Sequence, residues 1–250
     1  EALRAAMSTA GDTLLDDLAA INRQFGVITD LLRDFMTDSG QEPEDRFEDI
    51  SDEELGGTET GALSRSRNAG TVEGDVNVAG IVGSMAIEYD FDPEDDLIQE
   101  GSRSLDFRYQ TRAVVISCVN TGDITGKQDN TGGVVGLMDL GRVSACENYG
   151  FISSTNGDYV GGIAGASWGS LRDSWSKCHL SGGDYVGGIA GFGATLINCH
   201  ALVSIDQGSA FLGAVAGDID SAGTVSGNTF TGEGMGALDG ISYAGKAEPV

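Results

Sequence analysis

Basic residues are scarce in this 250-residue chain, which has 14 lysines and arginines against 39 aspartates and glutamates. The formal net charge at pH 7 is therefore −25. Proteins that bind nucleic acid or anionic lipid need clusters of lysine and arginine, so this composition argues against both kinds of partner. A large net charge of one sign fits a soluble, self-repelling protein that is exposed to solvent.

The chain also lacks long apolar runs and the sequence signatures of common enzymes. No stretch approaches the roughly 18 apolar residues of a membrane-spanning helix, and no signal peptide is present in it. We find no Ser/His/Asp set, phosphate-binding loop or dinucleotide-binding fingerprint, and we expect neither enzymatic activity nor a cofactor. Because the chain opens at Glu1 rather than at methionine, we expect it to be a fragment of a larger precursor.

The most informative feature of the sequence is a repeated glycine phrase. Residues 160–165 and 186–191 both have the sequence VGGIAG, and looser copies occupy residues 78–83, 131–136 and 212–217. Measured at the last glycine of each copy, the steps along the chain are 53, 29, 26 and 26 residues. A recurring period of this length indicates a solenoid, in which each unit buries its apolar face by stacking on its neighbours.

Each unit consists of short runs of small or β-branched residues separated by Gly, Asn, Asp and Ser, a pattern typical of strands and turns. The repeated glycines disfavour helix. At about 3.3 Å per residue, one unit makes a coil of three short strands and their corners. We therefore predict a mostly β fold, a right-handed parallel β-helix (solenoid) over residues 64–250.

Two positions of the repeat are predicted to face the interior of the β-helix. One is an apolar ladder and the other a column of small side chains: Ile81, Val134, Ile163, Ile189 and Val215, and Ser66, Cys118, Cys146, Ser174 and Cys199. Cys146 and Cys199 lie two coils apart, beyond the reach of a disulfide. We expect all four cysteines, Cys178 included, to be buried free thiols. The glycines of the phrase would serve either a positive φ or close approach of two chains.

The units resemble a known repeat. Besides the glycine phrase, the segment SCVNTGDIT at residues 117–125 returns as ACENYGFIS at residues 145–153. Together these features are similar to the GLUG motif, a glycine-rich repeat of bacterial surface and secreted proteins, including segments of certain secreted peptidases. The resemblance covers about residues 66–240 and is strongest over residues 117–217. It implies a β-helix-like fold and an extracytoplasmic location, and it carries no catalytic residues.

Residues 1–37 have a different pattern, with apolar residues at alternating steps of four and three. This spacing predicts an N-terminal amphipathic α-helix of coiled-coil type through Leu14, Leu18, Ile21, Phe25, Ile28, Leu32 and Phe35. Two interpretations stay open: the helix caps its own β-helix, or it is a stalk through which residues 1–37 self-associate. We expect residues 38–63 to be an acidic linker.

The long 53-residue step indicates an insertion at about residues 84–113. Apolar and polar residues alternate on both sides of an acidic turn, which predicts an inserted β-hairpin with one apolar face. The turn holds the densest group of carboxylates in the chain: Asp90, Asp92, Glu94, Asp95 and Asp96. Calcium favours such oxygen ligands, but the spacing lacks the glycine and the distal glutamate of an EF-hand. A solvated acidic turn is the alternative.

Aromatic residues mark the candidate binding site. Tyr159, Tyr185 and Phe211 align on successive coils and would form either a flat platform for a sugar ring or a cap over the core at a corner. Trp168 and Trp175 lie in a neighbouring corner and would extend that platform or fill a gap.

Two other constellations are less suited to chemistry. Asp129, Asp158 and Asp184 recur at one aligned position, where aspartate is a common turn starter. His179 and His200 each follow a cysteine, but the two Cys-His pairs occupy different registers and would not converge on a metal.

Taken together, the sequence predicts a non-enzymatic extracellular repeat module of a bacterial cell-surface or secreted protein, a scaffold or adhesin-like binding segment. Its expected partner is a host or bacterial surface glycan or protein. Two alternatives stay open: an accessory segment of a secreted enzyme such as a peptidase, and a carbohydrate-active or carbohydrate-binding β-helix.

Overall fold

The computed structural model describes residues 21, 24–26, 29, 47–53, 61–87, 109–231, 236–238 and 247–249. The chain divides into two compact units. The first comprises residues 1–48 and 88–109, and its described residues at 21, 24–26 and 29 are helical. The rest of the predicted helix over residues 1–37 lies outside the described residues, as do residues 88–108 of the predicted hairpin and its acidic turn.

The second unit comprises residues 49–87 and 110–250 and is built from short strands. In chain order up to the insertion, the described strands are β1 (Phe47–Asp49), which begins in the first unit, and then β2 (Ala62–Ser64), β3 (Arg67–Asn68), β4 (Val72–Gly74), β5 (Val78–Ala79) and β6 (Val82–Met85). The next are β7 (Tyr109–Thr111), β8 (Val114–Ile116), β9 (Val119–Asn120), β10 (Ile124–Gly126), β11 (Thr131–Gly132), β12 (Val135–Met138), β13 (Arg142–Ser144), β14 (Glu147–Asn148), β15 (Ile152–Ser154) and β16 (Val160–Gly161). The last are β17 (Ala164–Arg172), β18 (Trp175–Ser181), β19 (Val186–Gly187), β20 (Ala190–Ile197), β21 (His200–Gln207), β22 (Leu212–Gly213), β23 (Ala216–Ser226), β24 (Asn228–Thr231) and β25 (Ala247–Pro249).

Three sheets enclose the core of this unit, as a coil of three strands predicts. Sheet I contains β5, β11, β16, β19 and β22; sheet II contains β2, β6, β8, β12, β13, β17, β20 and β23; sheet III contains the remaining strands except β1 and β7, which pair with each other. Within sheets I, II and III each described strand pairs in parallel with the equivalent strand of the next coil. The five strands of sheet I bound about four turns, so the predicted parallel β-solenoid is confirmed.

The coils differ in length, and part of the difference falls at a corner. Met138 pairs with Ser167 and Arg142 pairs with Ser170, so three intervening residues in one coil face two in the next. The strands on either side of this corner are separate in early coils and merge into the single strand β17 in later ones. In later coils the register also shifts within the paired strands, between Ser167 and Ser170 of β17 and between Leu180 and Ser181 of β18.

The core lies along the axis of the solenoid and contains both predicted columns. Val134, Ile163, Ile189 and Val215 are completely buried, and Ile81 packs against the same cluster from a partly buried position in the first coil. The small-residue column is also buried, since Cys118, Cys146, Ser174 and Cys199 have no exposed surface. Ser66, the first-coil member of that column, is only partly buried. In the later coils both inward assignments are confirmed.

A ladder of asparagine side chains, not predicted from the sequence, runs beside the cysteine column. Asn68 Nδ2 donates to Asn120 Oδ1 at 2.8 Å, and Asn120 Nδ2 donates to Asn148 Oδ1 at 2.7 Å. The amide nitrogen of Asn120 also donates to the carbonyl of Gly122 two residues ahead. Asn120 and Asn148 are fully buried, and these bonds satisfy their polar groups without water.

Glycine in the repeated phrase is required for close packing. A Cβ atom on Gly162 would overlap Ser176 Oγ and the carbonyl oxygen of Gly188 on the next coil. The positive φ angles at the corners belong to other residues, such as Asn130 at 64° and Tyr159 at 61°. Of the two roles that the sequence left open for these glycines, the structure therefore selects the close approach of two chains.

Residues 49–53 lie on the solenoid rather than in a free linker. Asp49 Oδ2 accepts a hydrogen bond from the backbone N–H of Gly141, and buried Ser51 accepts one from the N–H of Ala113 through its Oγ. Asp52 Oδ2 contacts Arg172 Nη2 at 3.0 Å. These polar contacts reach three successive coils, a role that the acidic composition of residues 38–63 does not reveal.

Truncating the apolar ladder should destabilise the solenoid strongly. We expect Ile163→Ala and Ile189→Ala each to lower the free energy of unfolding by about 2–5 kcal/mol, because each removes a completely buried side chain and leaves a cavity. Asn156→Ala, at an exposed corner, is the control and should change little. Urea unfolding followed by circular dichroism measures all three, and equal small effects would contradict the inward assignment.

A second prediction separates the steric role of glycine from its flexibility. Gly162→Ala should destabilise the protein by about 1–3 kcal/mol, since the added methyl group has to displace a neighbouring coil. Gly70→Ala is the matched control, because its Cβ would meet only Asn68 Oδ1, at 3.8 Å. The two variants are compared by thermal and urea unfolding. A Gly70→Ala variant as unstable as Gly162→Ala would point to backbone freedom as the reason for glycine.

Candidate functional site

The aligned aromatic residues form a stacked column at the corner that precedes sheet I. Tyr159 and Tyr185 have ring centroids 4.7 Å apart and an interplanar angle of 15°, and Tyr185 and Phe211 are 4.4 Å apart and parallel. All three rings are half-buried. Their φ angles of 61°, 57° and 56° place them in the left-handed region, which bulky residues seldom adopt. Asn77 and Asn130 occupy the same position in earlier coils with the same backbone conformation.

This stacking decides what the column offers to a ligand. The rings face each other along the solenoid axis, so each face of Tyr185 is covered by a neighbouring ring. A sugar ring binds aromatic faces, and the column presents mainly ring edges between its coils. The pKa of Tyr159 is raised, first by burial and then by Tyr185 and nearby carboxylates such as Asp158. The geometry favours the corner cap over the platform.

The aspartate row beside this column serves the backbone. Asp129 Oδ1 accepts a hydrogen bond from the N–H of Asp158 at 2.9 Å, and Asp158 Oδ1 accepts one from the N–H of Asp184 at 2.8 Å. Each carboxylate thereby joins its turn to the turn of the next coil. The row has the geometry of turn residues, as its sequence position suggests.

The two tryptophans lie on different sheets. Trp168 belongs to β17 of sheet II, is 50% exposed and contacts the ring of Phe192 at 5.2 Å. Trp175 belongs to β18 of sheet III, is 53% exposed and lies 4.0 Å from the imidazole of His200. They therefore form two separate exposed sites, and neither shares a strand with the column at the corner before sheet I.

A shallow groove of about 290 Å³ opens on the outer face of sheet III around Trp175. It is lined by residues of the strands β18, β21 and β24 and by the residue that directly follows β14: Tyr149, Trp175, Ser176, Lys177, His200, Ala201, Leu202, Thr229, Phe230 and Thr231. Several of its large side chains face solvent, with Tyr149 48% and Leu202 46% exposed. We call this set of residues the sheet III groove and take it as the candidate binding site.

The side chains that line the groove come from the residues that follow the cysteine column, where side chains alternate between outward and inward directions. In each coil, the first and third residues after that column point outward and the second points inward. The outward positions are Glu147 and Tyr149, Trp175 and Lys177, His200 and Leu202, and Thr229 and Thr231. Of these residues, only Trp175 is predicted from the sequence to bind a ligand, and His200 is considered there only as a metal ligand. Tyr149, His200 and Leu202 would have been found by applying the same alternation to every aligned coil.

Hydrogen bonds fix several of the outward side chains. Tyr149 Oη donates to Glu147 Oε2 at 2.7 Å, and this bond is the main reason why the pKa of Tyr149 is raised. His200 Nδ1 and Thr229 Oγ1 are hydrogen-bonded at 2.6 Å. The imidazole is thus held between the Thr229 hydroxyl and the Trp175 ring, which leaves its Nε2 outside both of these contacts.

Metal chemistry finds little support in the described part of the chain. His179 pairs with Asp206 and lies beside Ser204, whereas His200 lies beside Trp175, so the two imidazoles occupy separate columns. No group of three or more His, Cys, Asp or Glu side chains capable of holding a metal occurs among the described residues. The predicted calcium ligands Asp90, Asp92, Glu94, Asp95 and Asp96 lie outside those residues.

The four cysteines are buried and free, as predicted. The N–H of Cys118 donates to Cys146 Sγ at 3.3 Å, so the thiol column takes part in the contacts between coils. Burial is the main cause that raises the pKa of Cys146 and of Cys199 to about 12 and that of Cys178 to about 11. These thiols are poor nucleophiles, because the thiolate is the reactive form.

The raised pKa values predict a loss of stability at alkaline pH. Above the ordinary thiol pKa of 9.0 the unfolded chain loses these protons while the folded chain keeps them, so the free energy of unfolding falls as pH rises toward 11. Cys146→Ser and Cys199→Ser should weaken this dependence, since Ser174 already occupies the same column. Urea unfolding between pH 7 and about 10.5 tests this, and an unchanged slope in both variants would contradict it.

Two general findings complete the description of the site. Among the described residues no helix is long and apolar enough to cross a membrane. Comparisons with protein-family models, with curated proteins and with solved structures found no match to this chain.

Proposed function

We propose that this chain is a non-enzymatic extracellular repeat module of a bacterial cell-surface or secreted protein. In this proposal the solenoid is a rigid scaffold, its repeats are related to the GLUG motif they resemble, and the sheet III groove is its binding face. The proposed function needs no cofactor. Its partner is a surface glycan or protein of a host or a bacterium.

The observation that carries the proposal is the exposure of large side chains on a rigid sheet. Trp175, Tyr149 and Leu202 are about half exposed in one groove, although a soluble protein usually covers such groups or uses them for binding. The strands beneath them are paired on both sides, so the groove is formed before any ligand arrives. Pre-formed sites of this kind are typical of binding modules.

Two further observations support a non-enzymatic, extracellular role. The aspartate row accepts backbone hydrogen bonds and has no basic partner in the described residues, which disfavours an acid/base pair. The net charge of −25 suits a solvent-exposed protein that repels copies of itself. A carbohydrate-active β-helix and an accessory segment of a secreted enzyme are the alternatives, and the first of these requires a catalytic pair.

Surface labelling of intact cells tests the location. An antibody raised against the recombinant chain should label intact producing cells or their culture medium, and permeabilisation should add little signal. A cytoplasmic protein detected in parallel serves as the control, because it should be labelled only after permeabilisation. Labelling of this chain that also needs permeabilisation would overturn the extracellular proposal.

A separate assay tests the absence of catalysis. The purified chain should release no reducing ends from polysaccharides over a long incubation, at any pH between about 4 and 9, where a carboxylate pair would be active. An Asp158→Asn variant identifies the source of any signal. Reducing-end release that disappears in this variant would establish the enzymatic alternative.

A further inference from the structure

We infer that the sheet III groove binds a neutral glycan chain that lies across the strands β14, β18, β21 and β24. This assignment rests on the proposed function as a binding module and adds the chemical class of the ligand. It follows from the exposed surface of the aromatic side chains, of which Trp175 is in contact with His200 on one side, the polar groups beside them, the local charge and the pairing of the backbone beneath.

The aromatic side chains supply the apolar part of the site. Trp175 is 53% and Tyr149 48% exposed; Trp175 lies in β18, and Tyr149 directly follows the neighbouring strand β14. One face of a pyranose ring carries C–H groups that pack on an aromatic ring, while its hydroxyls stay available at the edge. Large aromatics with a polar tip suit such a ligand, because both parts of the side chain can be used.

Polar groups of the same groove can meet the hydroxyls. The Lys177 ammonium is exposed on β18, and no carboxylate lies within ion-pairing distance of it in the described part of the chain. His200 has its Nδ1 fixed by Thr229, so its ring orientation is set before a ligand binds. A few convergent polar groups in a mostly apolar groove are the usual means of orienting a ligand.

The local charge selects a neutral glycan over an acidic one. The groove holds the cation of Lys177, and Glu147 lies beside Trp175 on the adjacent strand. These two charges balance, whereas the chain as a whole carries −25. A polyuronate or a nucleic acid would therefore be repelled by the net charge of the chain, and a single lysine is too small a cationic site to offset that repulsion.

The backbone pairing argues against an extended peptide. A peptide strand binds a sheet by pairing with an open edge. Here β18 already pairs with β14 and β21, and β21 pairs with β18 and β24. The ligand can therefore reach only side chains. Four strands at about 4.8 Å spacing give a track about 14 Å long, which suits an oligosaccharide better than a single sugar.

The test measures binding of soluble polysaccharides to the full chain. Affinity gel electrophoresis is run with the neutral polymers xyloglucan, laminarin and galactomannan and with the acidic polymer polygalacturonate. We expect retardation by at least one neutral polymer and none by polygalacturonate. Trp175→Ala and Tyr149→Ala should each weaken binding about tenfold, as expected when an aromatic contact is lost. Trp175→Phe should keep most of it.

The matched control is Trp168→Ala. Trp168 is as exposed as Trp175 but lies on sheet II, so its removal should leave the affinity unchanged. Thermal melts of all variants should coincide with that of the parent chain, because the altered side chains are about half exposed. A binding loss in Trp175→Ala at an unchanged melting temperature then reports on the groove itself.

Three outcomes would overturn the assignment. One is no retardation by any neutral polymer, and another is an equal loss in the Trp168→Ala and Trp175→Ala variants. The third is binding of a proline-rich decapeptide, added as a rival probe, that depends on Trp175 while the neutral polymers fail. None of these results affects surface labelling, so the extracellular module would stand or fall on its own experiment.

Discussion

The structure depends on parallel pairing between residues at the same position of successive coils. Val160 pairs with Thr131 on one side and with Val186 on the other, so backbone groups on both sides of its strand are used by the neighbouring coils. Because this pairing continues from coil to coil, a change in length has to be absorbed without ending it. Early coils absorb it at corners, and later coils also absorb it as local register shifts within β17, β18 and β20.

Stacking in register also explains how polar groups can be buried in so narrow a core. A side chain at an interior position contacts its counterparts on the coils before and after it. A polar side chain there has to form hydrogen bonds with both neighbours. The amide of Asn120 does this, since its oxygen accepts from Asn68 and its nitrogen donates to Asn148. In the cysteine column the side chain of Cys146 accepts from the backbone of Cys118. In each column, the buried polar groups therefore find their hydrogen-bond partners in the equivalent residues of the neighbouring coils.

The repeat in the sequence predicts the solenoid and its inward columns because burial imposes the same residue type on every coil. Ile163 and Ile189, or Cys118 and Cys146, are recognisable for that reason. The role of Gly162 could not be predicted from the sequence, because close approach of two chains and a positive φ angle both call for glycine. The structure distinguishes them, since a Cβ atom at this position would overlap the neighbouring coil. The contacts of Asp49 and Ser51 with the solenoid also escaped prediction, since they join residues distant in the chain and follow no period.

At the outward positions, burial does not impose one residue type on every coil. The sheet III groove results from this variation. Pairing fixes where Tyr149, Trp175 and Leu202 point but not what they are, so the residues of one outward column differ from coil to coil. The aromatic corner shows the contrast. There, successive coils carry Tyr159, Tyr185 and Phe211, and each ring covers the next. Aromatic residues repeated at one position cover each other's faces, as His200 also does for Trp175 in its column. Tyr149 and Trp175 are offset between two positions, and each keeps about half of its surface exposed.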